Sequence, residues 1–373
     1  MGLYTMDPLE IAGGWVNGYD NVPMPESAAH PRQVLEDMLA EQLATRQCLV
    51  AFSGGRDSSV LLAAAVSVAR REGLPLPVPI TLAYPEIRDA DETAWQRAVL
   101  DHLGVCDRVV LTVHDEHDPL GPVAIPVLRR HGLVWPPNFA PTMRMMAMAR
   151  GGALLTGEGG DEAFGLKRVT PLTKVLKSRG RTPLGVYRDA VGSLTPRTLR
   201  RQAAFRGRYR RPWLRQEAEE TLARRDAQDV AAYAMHAGRN TWQFATRRCA
   251  RIAYETVRVL GAELDVTYVQ AFAEPALVAA VARTGGRWGW TGRAATMRGL
   301  FGDLLPREIL ERRTKAHFAN AVFRGYTREF ARNWNGAGVD ETLVDAEALR
   351  ENWLSPTPHA PSMTLLQQAW LAS

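Results

Sequence analysis

The chain has 373 residues, 46% hydrophobic and 23% charged, which is enough apolar material for one large domain or two ordinary ones. That balance excludes a disordered chain, a collagen-like repeat and a small disulfide scaffold, and no apolar run reaches the roughly 18 residues of a membrane span. Three scattered cysteines (Cys48, Cys106, Cys249) without a C-x-x-C pair point to reduced thiols rather than a structural zinc site, so the expectation is a soluble cytoplasmic protein with no membrane partner.

Residues 1–30, rich in Gly, Pro and Asn, read as a loosely structured lead-in to a single domain over 31–373. A helical pattern follows in Val34, Leu35, Met38, Leu39 and Leu43. Short apolar and amphipathic runs then alternate: a strand over 48–52, a helix over 58–71, a strand over 78–83, a helix over 91–103 and a strand over 108–113. After a Pro-containing connection come a Met-rich helix over 142–150, read as core filler, and a strand over 153–156. Strand and helix in alternation predict an α/β fold whose parallel sheet is covered by helices on both faces. The sheet core is placed at about 46–165, and the strand signals thin out beyond it, so 166–373 reads as mostly helix and loop.

Directly after the first strand stands Ser53-Gly54-Gly55-Arg56-Asp57-Ser58-Ser59. Two glycines permit a tight turn and close approach of a ligand. Helix N-terminal amides and flanking hydroxyls then offer donors to an anion, aided by the helix dipole. Asp57 supplies a carboxylate for a phosphate-bound Mg²⁺. The lysine of the G-x-x-x-x-G-K-[ST] pattern is missing, so this is a different phosphate loop. A Gly/Ser turn with a capping Asp is the plain alternative, and S-G-G by itself would favour it.

The second constellation is Thr156-Gly157-Glu158-Gly159-Gly160-Asp161-Glu162, after the strand over 153–156. Three carboxylates within five residues are costly to group unless a cation or polar substrate shares them. Both loops leave the carboxyl edge of what should be one parallel sheet, where such sheets bind ligands.

The string at 53–59 resembles the pyrophosphate-binding loop of the ATP-pyrophosphatase superfamily. That at 157–162 resembles the second signature of the asparagine synthetase synthetase-domain family, which also holds β-lactam and lasso-peptide macrolactam synthetases. Met297-Arg298-Gly299-Leu300-Phe301, Leu305-Pro306 and Arg313-Thr314-Lys315-Ala316-His317-Phe318 are similar to the family's C-terminal L-R…L-P…R-x-K-x-x-F stretch. The resemblance implies an adenine-nucleotide α-hydrolase-like fold and an ATP-dependent ligase. In such a ligase a substrate carboxylate attacks the α-phosphate, pyrophosphate leaves, and an amine completes an amide, either between two molecules or within one peptide or natural-product intermediate. It further implies that Ala51, Ser53, Gly54, Gly55, Asp57, Ser58, Ser59, Leu82, Thr156, Gly157 and Asp161 bind the nucleotide. Asp57 and Asp161 would hold Mg²⁺, Glu158 would line the acyl side, and Lys315 would be the cation at the reacting centre.

Two departures bear on chemistry. Glutamine-dependent members place a glutaminase domain, opening on a nucleophilic cysteine, before this one. Here 52 residues precede Ser53, residue 2 is Gly and the first cysteine is Cys48, expected buried in its strand. Use of glutamine by the family's route is therefore not expected. The family's E-x-R-x-P-F-x-D string is replaced by Gly261-Ala262-Glu263-Leu264…Phe272-Ala273-Glu274, and the Tyr–Glu pair of the β-lactam-forming members has only Tyr254 and Glu255 as candidates. For Glu255 a helix-surface acid is the plainer reading. Alternatives left open are an ammonia-dependent asparagine synthetase-like enzyme, a pyrophosphate-loop tRNA-modifying enzyme and an inactive partner subunit.

Arginine is the default cation, and lysine occurs only at 167, 174, 177 and 315. Between 168 and 215 stand fourteen basic residues and one acid, Asp189, with Phe205, Tyr209 and Trp213 interleaved. This predicts either a solvated surface or a docking surface for an acidic peptide substrate or partner protein, with RNA the least favoured. His114-Asp115-Glu116-His117-Asp118 reads as a solvated loop rather than a metal site.

Overall fold

Five short strands lie side by side in one parallel sheet in a computed structural model that describes residues 3–26, 29–178, 182–312, 314 and 322–373. In chain order they are β1 (Cys48–Ala51), β2 (Val78–Ala83), β3 (Val109–Thr112), β4 (Ala153–Thr156) and β5 (Thr267–Gln270). Their spatial order is β3-β2-β1-β4-β5, with Leu49 paired to Val78 on one side and to Leu154 on the other. The winding reverses at β1. The carboxyl ends of β1 and β4 therefore flank the crevice where an open α/β sheet receives its ligand.

The two central strands are apolar nearly throughout because both faces are covered. On one face the helix Arg56–Glu72 buries Val60 to Val66 without a polar break, sandwiched between the sheet and the helix Pro31–Thr45. It stops at Gly73, whose left-handed φ of 65° caps it. On the other face Met146, Val257, Val266 and Tyr268 pack on Leu49, Ile80 and Leu154. The α/β sheet with helices on both faces and a largely helical second half is thus present.

Two expectations are corrected. The sheet is not confined to 46–165, since β5 arrives more than a hundred residues after β4 and pairs with it from Ala153↔Thr267 to Thr156↔Gln270. Four residues reading Thr-Tyr-Val-Gln carry too little periodicity to announce a strand, and pairing with β4 decides it. The lead-in is also not loose. Pro8–Gly13 is a helix closed by a reciprocal Asp7–Glu10 capping box, and its Ala12 carbonyl accepts the Trp213 indole N–H at 2.9 Å within a second core that includes Leu222, Trp353 and Leu366. Cys48 lies buried in β1 as expected, Cys249 is buried and Cys106 exposed. No described helix is long and apolar enough to cross a membrane.

Candidate active site

The chain leaves β1 through Phe52 and Ser53, turns at Gly54 and enters the helix Arg56–Glu72 with Gly55 as its N-cap. Gly54 has φ of 79°, and a Cβ there would lie 2.9 Å from Gln96 Cγ, so both the conformation and the space require glycine. The loop is braced from within. The Ser53 N–H donates to Ser58 Oγ at 3.2 Å, the Gly55 N–H to Ser53 Oγ at 3.2 Å, and Ser58 Oγ–H to the Gly55 carbonyl at 3.1 Å. From outside, Gln96 holds the Ser53 carbonyl at 3.3 Å and Arg312 the Gly54 carbonyl at 2.9 Å. Arg312 is itself buried against Glu92 and lies over the Trp95 ring. The loop's shape is therefore set before any anion arrives.

From β4 the second loop passes Thr156, Gly157, Glu158 and Gly159 into the short helix Gly160–Phe164. A Cβ on Gly160 would stand 2.7 to 2.9 Å from the Asp57 carboxyl atoms, so glycine there lets the two loops touch. One cavity of about 1220 Å³ receives both. Its wall includes Ala51, Ser53, Gly55, Asp57, Ser58, Leu82, Thr156, Gly157, Glu158 and Asp161. Two expected residues are not on that wall: Gly54 forms the turn behind it, and Ser59 points into the helix packing, wholly buried.

Asp57 and Asp161 converge on one cation. Arg293, which opens the helix Arg293–Phe301, pairs through Nη2 with Asp57 and through Nη1 with Asp161. No motif singles it out, and its one sequence signal is its place at the start of the helix bearing Met297-Arg298. Lys315 lies outside the described residues, as do Arg313 and the 316–318 part of the motif. Thr314, between them, is on the cavity wall, and its hydroxyl accepts from Arg312 Nε at 3.0 Å.

Glu158 is exposed on the cavity side, and its carboxylate accepts from Tyr268 at 2.8 Å and from Gln270, both on β5. Burial raises the carboxyl above its usual range, and these two hydrogen bonds oppose the rise. Neither β5 partner was foreseen, because β5 itself was not.

A tyrosine and a glutamate far apart in sequence meet across two elements. Tyr254, on the helix Arg248–Glu263, lines the cavity and donates to Glu274 at 2.5 Å. Burial, then the Glu274 bond, raises the phenol above its ordinary value. Glu255 instead pairs with Arg258 at 2.7 Å, in keeping with a helix-surface acid.

The 114–118 segment is corrected as well. His117 and Asp118 are 5% and 0% exposed rather than solvated. Asp118 is consumed by the N–H groups of Leu120, Arg324 and Thr327 and by the Thr327 hydroxyl. His117 lies on the cavity wall against the Tyr84 hydroxyl at 3.1 Å, and burial pushes its imidazole down to about 4. Among the described residues no group of three His, Cys, Asp or Glu could hold a metal. The far wall is made by Val22, Pro23 and Pro25 of the N-terminal segment with Trp242, Ala250 and Arg251.

A family model described as asparagine synthase matches residues 30–372. Among curated proteins none matches the chain. With two ligand loops at the switch point of a parallel sheet and a match that runs over nearly its whole length, the chain belongs to the asparagine synthase family, whose members spend ATP to make amide bonds.

Proposed function

We propose that the chain is an AMP- and pyrophosphate-forming amide synthetase that adenylates a substrate carboxylate and passes the acyl group to an amine of a peptide-sized or natural-product substrate. The observation that carries this reading is the convergence of Asp57 and Asp161 from two loops onto one cation, Arg293, at the mouth of a pre-braced phosphate loop. Two carboxylates across one positive charge fit a Mg²⁺, which Asp57 and Asp161 would hold. Bound there, Mg²⁺ would neutralise charge on the leaving pyrophosphate.

The chain's own groups support both halves of the chemistry. The Ser53–Ser58 hydroxyl pair and the amides opening the helix Arg56–Glu72 would bind the phosphates, with Arg293 as a cation at their edge and Lys315 as the cation that the family resemblance implies. Ala51 and Leu82 would offer the apolar side that a purine needs. Tyr254, on the same wall and hydrogen-bonded to Glu274, would accept the proton of the attacking amine as it gives its own to that carboxylate. The cavity of about 1220 Å³ exceeds the usual range of about 300 to 1,000 Å³ for a small-ligand site and leaves room beside a nucleotide for a second, larger substrate.

The test is carboxylate-dependent ATP–pyrophosphate exchange across a substrate panel, with nucleotide analysis. AMP as the product, and transfer of carboxylate ¹⁸O to it, are expected. ADP with inorganic phosphate, or exchange indifferent to every carboxylate, would refute the reading.

A further inference from the structure

Beyond the signature loop, the helix Leu184–Leu194 carries Leu184, Tyr187, Val191 and Leu194 at i, i+3, i+7 and i+10, which is one side of a helix. All four are exposed, Leu184 at 86%, Val191 at 69% and Leu194 at 61%. Ala190 and Ser193 on another side are buried. The helix has satisfied its packing face and still presents an apolar row to solvent. Leu176, on the neighbouring helix Thr170–Lys177, is 64% exposed. Scattered exposed apolar residues need no explanation, but an ordered row marks an interaction site.

Charge follows the row along the chain, and the structure separates committed from uncommitted arginines. Arg168 donates to the Ser193 and Thr195 carbonyls, Arg200 to those of Thr195 and Ala231, and Arg211 is buried on Asp226 and the Gly13 carbonyl. Arg208 faces Glu219. Those four brace the fold. Arg197, Arg201, Arg206 and Arg210 are exposed and have no acidic partner among the described residues, and Arg188 meets only its neighbour Asp189, at 3.8 Å. The neighbouring helix Thr170–Lys177 is held by the segment that leads to Arg293. Thr173 donates to the Trp288 carbonyl at 2.6 Å and Lys177 to that of Gly289 at 3.1 Å, a few residues before Arg293. Arg168, just past the helix Gly160–Phe164, donates to the Ser193 carbonyl of the helix Leu184–Leu194.

We propose that this face docks an acidic amphipathic polypeptide segment, whose apolar side chains cover the row from Leu184 to Leu194 and whose carboxylates meet the free guanidinium groups. Arginine forks suit carboxylates in pairs, and the short apolar row gives such a segment its register. RNA would leave the row uncovered. An anionic membrane would require the row to sink into lipid, while the Ser193 carbonyl near the end of this helix is held by Arg168.

Selection of a random-peptide library on the intact protein, followed by fluorescence anisotropy, tests this without turnover, so the outcome stands apart from the proposed chemistry. Enriched peptides should combine Asp or Glu with two or more large apolar residues. Their binding should weaken about tenfold or more in Val191→Glu and in Arg197→Glu/Arg201→Glu, and should weaken as salt rises, with unchanged thermal midpoints. Both variants alter exposed side chains, so folding is not at stake. Enrichment without acids, no enrichment, or binding untouched by these substitutions would overturn the proposal. So would loss in these variants of binding to phosphatidylglycerol vesicles or single-stranded RNA when no peptide binds, or a dimer in sedimentation that Val191→Glu dissolves.

Discussion

Replacing Gly160 by alanine tests whether the contact between the two ligand loops sets the rate. The added Cβ would stand 2.7 Å from Asp57 Cγ, whereas ordinary contact begins near 3.4 Å, so the carboxylate must move by about 0.7 Å. Only the end of one side chain has to give, and alanine removes about 0.4–1 kcal/mol of unfolded-state freedom, so net stability should change by less than about 1 kcal/mol. Catalysis has no such margin. Displacing a positioning group by about 1 Å can cost 10²-fold, and Asp57 would also lose its shared geometry with Asp161. Gly160→Ala is therefore expected to lower kcat by about 10²-fold and to raise the Mg²⁺ requirement, with a thermal midpoint shifted by no more than about 2–4 °C. Gly192→Ala is the control, since nothing lies within 4 Å of its added Cβ. Steady-state release of pyrophosphate at varied Mg²⁺, beside thermal melts, measures both arms. Activity within threefold of the parent at every Mg²⁺ concentration would show that close approach of the loops is packing alone, and would remove Asp57 from the metal site.

Three other outcomes are expected. Tyr254→Phe should slow amide formation by about 10²–10³-fold while carboxylate-driven ATP–pyrophosphate exchange stays within a few-fold, because only the second half-reaction needs the base; equal loss in both assays would contradict that role. His117, held neutral with its imidazole near 4 against an ordinary 6.5, is more readily protonated in the unfolded chain, so stability should fall as pH drops from about 6.5 toward 4, by up to about 3 kcal/mol. Urea midpoints at neutral and acid pH should show that loss shrinking in His117→Gln, and an unchanged loss would acquit the histidine. Lys315→Arg keeps the charge but not the compact ammonium, so turnover should nearly vanish with the fold intact; near-normal activity would strike Lys315 from the reacting centre.

What depends on neighbours along the chain could be read directly from the residues. Phe52 to Ser59 had to be a strand, a tight turn and a helix start, because two glycines follow an apolar run and precede a buried amphipathic one. The loop from Thr156 to Glu162 was legible for the same reason, and adjacency of strand and motif placed both at one sheet edge. What the sequence could not carry was proximity between distant segments. Tyr254 meets Glu274 because the helix Arg248–Glu263 packs beside β5, and Arg293 reaches two aspartates because its helix opens at the crevice. β5 itself is a strand only by virtue of β4 beside it. The even-looking run of basic residues from 168 to 215 divides for a like reason. Arg211 is buried on Asp226 while Arg210 next to it is exposed, and only the folding of the chain around each guanidinium decides which charge remains free to meet a partner.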